Sequence, residues 1–532
     1  MFFQSSEGVM VRWTTKMRGL MLLLAIVLIG IVVFRRRTSV NSITRSSCFC
    51  SYSASASGFA SSVDYDFEHC ENIVLRWVDS SVNDGTEENK SDLQDLLFFL
   101  HVPRTGGRTY FHCFLRKLYT SDQECPRSYD KLRFDPSKPN CRLMVTHDDY
   151  SVMSKLPREK TSVVTVLRNP LDRVFSTYEF SVEVAARFLV HPNLTSATQM
   201  THKLRSKSRG VSTLDIWPWK YLVPWMREDL FARRDARGNR RIMKEAEDPY
   251  NMGEIVMPLR AFINDPLAHE IIHNGATFQV TGLTNNSCLA ESQEIRRCVR
   301  VHSSLGKYIL HVAKKRLERM LYVGLTEYHK ESATMFADVV GAQVLSQLQV
   351  LASQPEEAAN NRTEPGSLIN DSEIEDLSHQ QNTSDDNILR NVSSGNSTVT
   401  NQNQMTVGRL MEAYEQCISS LRKSQSVRRT SSLKKISPAN FTKEARLHVP
   451  DSIIQQILSF NSLDVELYKH AQKIFSEQRE LFMLKNSEKG NQLHDNMFDW
   501  LPKRVLIVII LLSHLFVFYL VNVRRRTLKL KV

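Results

Sequence analysis

The chain has 532 residues and a formal net charge of +12, with 42% hydrophobic and 24% charged residues. That length carries one large or two ordinary domains with a sizeable core. The charge favours anionic partners without separating nucleic acid, anionic lipid, nucleotide and acidic peptide, and the nine cysteines show no zinc-type spacing, so no metal site is expected.

Residues 1–37 place Arg12, Lys16 and Arg18 ahead of the apolar run GLMLLLAIVLIGIVVF. The charge order is that of a signal peptide. Arg35, Arg36 and Arg37 follow directly, however, and no small-residue cleavage site stands beside the run, so a signal anchor is the alternative. Residues 38–95, rich in Ser, Asn, Asp and Glu, read as a low-order stem.

A folded domain is expected over 96–350. LLFFLHVP, CRLMVTH (141–147), SVVTVLRNP (162–170) and MLYVGLTE (320–327) read as buried strands. TYFHCFLRKLY, LDRVFSTYEFSVEVAARFL and ILHVAKKRLERML repeat apolar residues at helical spacing, as crossover helices over a parallel sheet do. The fold class is therefore α/β.

Between the first strand and its helix lies HVPRTGGRTYF. A strand, a glycine-bearing turn and a helix N-terminus aim successive backbone N–H groups at one place, which is an anion cradle. Gly106 and Gly107 admit close backbone approach, Thr105 and Thr109 supply hydroxyls, and Arg104 and Arg108 supply fixed charge with bidentate geometry. The occupant expected is a nucleotide phosphate or phosphosulfate. GxxxxGK[ST] is absent, which demotes phosphoryl transfer. In VVTVLRNPLDRVFSTYEF, Arg168 ends a strand and Ser176 lies two turns into the next helix, so the two can converge on one phosphate. His147 ends CRLMVTH at the same sheet edge. His101 and His112 fall within a strand and a helix and are expected to be structural.

The window 201–241 is strongly basic. Its aromatic run WPWKYLVPW, with Trp217, Trp219, Tyr221 and Trp225, is either one wall of a peptide groove or packing beneath a solvated basic loop. Residues 351–448 are too polar to build a core and read as a glycosylated insertion, followed by helices at 449–485 that complete the domain and a juxtamembrane linker at 486–504. Residues 505–523 form an apolar run of roughly 28 Å as a helix, long enough for a single transmembrane span. The basic tail 524–532 then lies in the cytosol and the bulk of the chain in the lumen. Nine sequons, at Asn89, Asn193, Asn285, Asn361, Asn370, Asn382, Asn391, Asn396 and Asn440, agree with that topology. Cys113, Cys125, Cys141 and a Cys288/Cys298 pair suit disulfides in such a compartment.

HVPRTGGRTYF resembles the 5'-phosphosulfate loop of the Golgi sulfotransferases, above all the HxxKTGGTTF form of heparan sulfate 6-O-sulfotransferases, and LRNPLDRVFSTY resembles their LRDPxSRxxSxW segment for the 3'-phosphate. CRLMVTHDDYSVM, AKKRLERMLYVGLTEYHKESATMF and NSLDVELYKHAQKIF extend the likeness. RTGGRTYFHCF and STYEFSVEVAARFLVHPNLTSA, with a single C-terminal span, are most similar to plant tyrosylprotein sulfotransferases.

The resemblance implies a P-loop-like sulfotransferase fold with a mainly parallel sheet flanked by helices, in a Golgi membrane protein. It implies 3'-phosphoadenosine 5'-phosphosulfate as co-substrate without a metal, and acidic tyrosine-containing secreted peptides as acceptors, with no nucleic-acid partner. Arg104 to Thr109 would hold the phosphosulfate, Arg168 and Ser176 the 3'-phosphate, and His147 would be the general base. Arg104 stands where the heparan enzymes have lysine; a guanidinium does not readily give up a proton, so its expected role is electrostatic. The alternatives are a carbohydrate O-sulfotransferase and a non-enzymatic glycosylated receptor.

Overall fold

The computed structural model describes residues 66–83, 92–120, 123–125, 141–190, 213–238, 248–353 and 405–529. The expected N-terminal signal or anchor, and most of the expected stem, lie outside them.

Four strands, β1 (Leu96–Leu100), β2 (Leu143–Thr146), β3 (Thr161–Leu167) and β4 (Tyr322–Leu325), form one all-parallel sheet in the order β2-β1-β3-β4. Every strand residue is buried, as a sheet covered on both faces requires, and this is why the strands read as continuous apolar runs. Register pairs Leu100 with Thr146 and with Thr165, and Leu167 with Leu325. The residues that directly follow the four strands, His101, His147, Arg168 and Thr326, therefore stand along one edge, the carboxyl edge at which open α/β sheets bind ligands.

The covering helices that matter for this edge are α1 (Phe67–Val82), α2 (Gly107–Tyr110, continuing through the π-turn Phe111–Leu115 into Arg116–Leu118), α3 (Pro170–Arg187), α4 (Trp219–Arg237), α5 (Gly275–Val280), α6 (Gly306–Arg319), α7 (Val407–Leu433) and α8 (Ser462–Lys529). Asn169 caps α3 by accepting from Leu171 N at 3.0 Å, with Pro170 at the first helical position. Val174, Tyr178, Val182 and Ala185 form its buried stripe.

Two boundaries differ from the sequence expectation. Part of the stretch read as stem is α1, whose Cys70, Val74 and Trp77 are buried and whose Cys70 is bonded to Cys298. Part of the stretch read as solvated insertion is α7, which buries Leu410 and Tyr414 and is joined to α2 by Cys113–Cys417. In both, a polar composition hides one apolar stripe at helical spacing. The expected Cys288/Cys298 pair is also corrected. Cys298 takes Cys70, Cys125 pairs with Cys141, and Cys288 is disulfide-bonded elsewhere.

Among the described residues no helix is long and apolar enough to cross a membrane. The expected span at 505–523 falls within α8. Its large apolar residues from Ile509 to Tyr519 are 46–67% exposed.

Candidate active site

β1 delivers the chain to a turn that few residues can make. Arg104 has φ 69°, in the left-handed region unusual for a side-chain-bearing residue, and Gly106 has φ 87°. Helix α2 begins at Gly107. A Cβ at Gly107 would lie 2.3 Å from His101 Cδ2, whereas one at Gly106 would meet nothing within 4 Å. The two glycines thus serve different ends, conformation at Gly106 and close contact at Gly107. The turn is held from within: Thr105 Oγ1 donates to Val102 O at 2.8 Å and Thr326 Oγ1 donates to Thr105 O at 2.7 Å. The Thr105 hydroxyl, expected to face a ligand, instead fixes the turn. Arg108 and Thr109 are half-buried in the first turn of α2, and Arg108 has no ion-pair partner among the described residues. Thr109 N donates to Gly106 O at 2.9 Å, while the N–H groups of Gly107 and Arg108 have no intrahelical acceptors.

Arg104 and Arg168 were expected at opposite ends of a bound donor. The structure joins them instead. Arg104 Nε donates to Ser176 Oγ at 2.9 Å, its guanidinium lies 4.3 Å over the Phe180 ring, and Arg168 Nη1 donates to Arg104 O at 3.2 Å. Burial and then the neighbouring Arg168 hold Arg104 down to about 10. Burial likewise lowers Arg168, with Asp172 opposing it. Two desolvated cations side by side are relieved by an anion between them.

His147 leaves the tip of β2, and its ring lies 4.1 Å from that of His101, tilted by 32°. Both are buried. His101, expected to be structural, is therefore in contact with the proposed base. Burial, then Arg108 and Arg104, push His101 down to about 3. Burial, His101, Arg104 and Arg108 push His147 well below the ordinary imidazole value. Both rings are thus neutral near pH 7, and a neutral imidazole can accept a proton. The next residues brace the strand end. Thr146 Oγ1 donates to Asp148 Oδ2 at 2.8 Å, Asn286 Nδ2 to Asp148 Oδ1 at 2.5 Å, and Thr284 N and Oγ1 to Asp149 Oδ2 at 2.9 and 2.7 Å.

Sequence reasoning missed three contributors. Gln279 on α5 donates from Nε2 to His147 O at 2.8 Å. Asp464 on α8 accepts from Thr277 N at 2.7 Å and Ala276 N at 3.1 Å, capping α5, and pairs with Arg173 of α3 at 2.9 Å. Glu179 accepts from Arg446 Nε at 2.8 Å and Tyr250 Oη at 2.7 Å. Each lies on a helix beside other polar residues, with no local signal to mark it. Two of the four aromatics of the run WPWKYLVPW are packed inside. Trp217 and Trp219 are interior, and Trp217 Nε1 donates to Asn285 Oδ1 at 2.7 Å. Arg227 is buried with Nε donating to Phe188 O at 3.3 Å. Tyr221 and Trp225 are half-buried. His112, expected to be structural, is half-buried on α2.

Compared with known proteins, residues 72–218 match the sulfotransferase domain family. A protein-tyrosine sulfotransferase of Arabidopsis thaliana is 52% identical over 498 residues, covering 90% of this chain and 97% of that protein.

Proposed function

Because the chain belongs to the protein-tyrosine sulfotransferase family and is such an enzyme, we propose that it moves a sulfuryl group from 3'-phosphoadenosine 5'-phosphosulfate to tyrosine hydroxyls in acidic stretches of secreted peptides. The observation that carries this reading is the meeting of the left-handed turn at Arg104–Gly106, the Arg104–Ser176–Arg168 cluster and a neutral buried His147 on one sheet edge.

The first turn of α2 and Arg108 receive the phosphosulfate. Arg168, Ser176 and Arg104 receive the 3'-phosphate, which replaces the mutual repulsion of the two guanidiniums with attraction. His147 takes the phenolic proton while the tyrosine oxygen forms its bond to sulfur. The bond from sulfur to the bridging phosphate oxygen breaks, and its electron pair leaves on adenosine 3',5'-bisphosphate. Arg108 offsets the negative charge that grows on that oxygen. A general base contributes about 10²- to 10⁴-fold in rate.

For location we propose a single-pass Golgi membrane protein with its catalytic domain in the lumen. The exposed apolar residues at 509–519 and the disulfides Cys70–Cys298, Cys113–Cys417 and Cys125–Cys141 support that assignment.

The deciding experiment gives the purified enzyme labelled donor with an acidic Asp-Tyr peptide, its Asp-Phe counterpart and heparan oligosaccharides. Label is expected on the tyrosine peptide alone, and transfer only to the oligosaccharide would replace the acceptor class. His147→Ala should bind adenosine 3',5'-bisphosphate normally and lose most turnover; near-full turnover would remove the base assignment.

A further inference from the structure

Gln279 is fully buried on α5. Its Nε2 donates to three backbone carbonyls, His147 O at 2.8 Å, His101 O at 3.2 Å and Asp148 O at 3.3 Å. An amide nitrogen carries two protons, so at least one is shared. These carbonyls lie beyond the last ladder bond between β1 and β2, His101 N to Thr146 O at 3.0 Å, where the sheet no longer offers partners to buried backbone groups. Only the nitrogen end of the carboxamide can face three carbonyl oxygens, which fixes its orientation. The other end, Oε1, is buried with no hydrogen-bond partner among the described residues, and so is Nδ1 of His101. An apolar side chain of the same length would fill the space without leaving an acceptor unmatched. The amide is there for its donors, and its donors reach the strand ends that carry the two histidines.

His101 completes the link. Its ring fills the space that Gly107 leaves empty, lies against the ring of His147 and sits 6.0 Å edge-on to Phe99. Backbone and ring contacts thus run from the helix-borne amide to the phosphate loop.

We propose that Gln279 and His101 are positioning residues for sulfuryl transfer. Gln279 ties the tips of β1 and β2 together, and the His101 ring sets the spacing between His147 and the loop at Gly107. The inference rests on the reading of His147 as base. Neither residue is assigned contact with donor or acceptor; both act by keeping the imidazole within reach of a phenol aligned on the donor, where a displacement of about 1 Å costs about 100-fold in rate.

The test uses Gln279→Met, which keeps length and volume, and Gln279→Glu, assayed on the full-length enzyme with an acidic Asp-Tyr peptide and labelled donor. Gln279→Met should lower kcat by about 100-fold while the KM for peptide and the affinity for adenosine 3',5'-bisphosphate stay within roughly threefold of the parent, the pattern of a lost transition-state interaction. The acid limb of its kcat profile should move upward, toward the ordinary histidine value, as the imidazole leaves its buried place beside Arg104 and Arg108. Gln279→Glu should be least active where its carboxyl is ionised against the carbonyls and recover as pH falls and the protonated acid regains one donor. Parental kcat in Gln279→Met, or a loss of nucleotide affinity in proportion to kcat, overturns the proposal. Should Gln279→Met not be stabilised by the nucleotide, His101→Phe decides: lower kcat with intact nucleotide binding supports the pair, and unchanged kcat overturns it. His147→Ala in the same assay separates the two readings. If it loses turnover while Gln279→Met does not, only this inference fails; if it retains turnover, the base assignment fails first.

Discussion

Gly107 shows how one missing atom organises the site. A methyl there would collide with a ring packed between Phe99 and His147, and that ring has no open space to move into. Gly107→Ala is expected to lower the unfolding temperature and abolish turnover, whereas the double variant Gly107→Ala/His101→Ala should regain thermal stability without regaining kcat. Equal stability of the single variant and the parent in a melting experiment would contradict the packing argument. The glycines and Arg168 were legible because a turn and a strand end leave strong local marks. Gln279 and Asp464 were not, because their partners lie up to 291 residues away in sequence. His101, expected to be structural, is interior and packed on His147. Its position just past a buried strand identifies it as interior but cannot name the ring beside it.

At the scale of elements, the sheet and crossover helices could be read from periodicity, since each strand is buried on both faces and each helix carries a broad apolar stripe. Helices α1 and α7 could not be, because composition was weighed over long polar stretches in which only every third or fourth residue is apolar. Both are bound to the core by disulfides. Cys113–Cys417 spans 304 residues and fastens α7 to the helix that opens the phosphate loop, beside the stacked rings of Phe114 and Tyr414 at 4.0 Å. Cys417→Ser is expected to cost about 2–5 kcal/mol of stability and to weaken adenosine 3',5'-bisphosphate binding in proportion to the loosened loop. Calorimetric melts with and without nucleotide would measure both, and an unchanged melt would show that α7 is held by packing alone.

For the whole molecule, acid is the condition to which this interior is most sensitive. His101 is neutral in the folded state down to about 3, and in the unfolded chain it protonates near 6.5. Stability from this group is complete above pH 6.5 and is lost as pH falls from there toward 3, because only the unfolded state binds the proton in that window. His147 acts in the same direction. Asp149, raised by burial, acts in the opposite one. The melting temperature should therefore fall between pH 7 and pH 5, and less so with adenosine 3',5'-bisphosphate bound, since its charge offsets Arg104 and Arg108. A melt that does not change over that range would refute the account.

Helix α8 begins inside the catalytic domain and runs helical to Lys529. Asp464 in its first turn grips both α5 and Arg173, and Tyr468 Oη donates to Glu327 at 2.6 Å, whose other oxygen accepts from Asn169 N at 2.9 Å, next to Arg168. A chain ending at 487 should keep nucleotide binding, while one ending at 461 should lose it along with the buried ion pair, whose loss of a partner costs about 3–5 kcal/mol. Sedimentation and a binding isotherm on the two truncations would tell them apart. If its far end is seated in lipid, this helix is a drive shaft rather than a leash. Torque applied at that far end would then be passed to the nucleotide cradle itself, so that catalytic output would vary with how the far end is held.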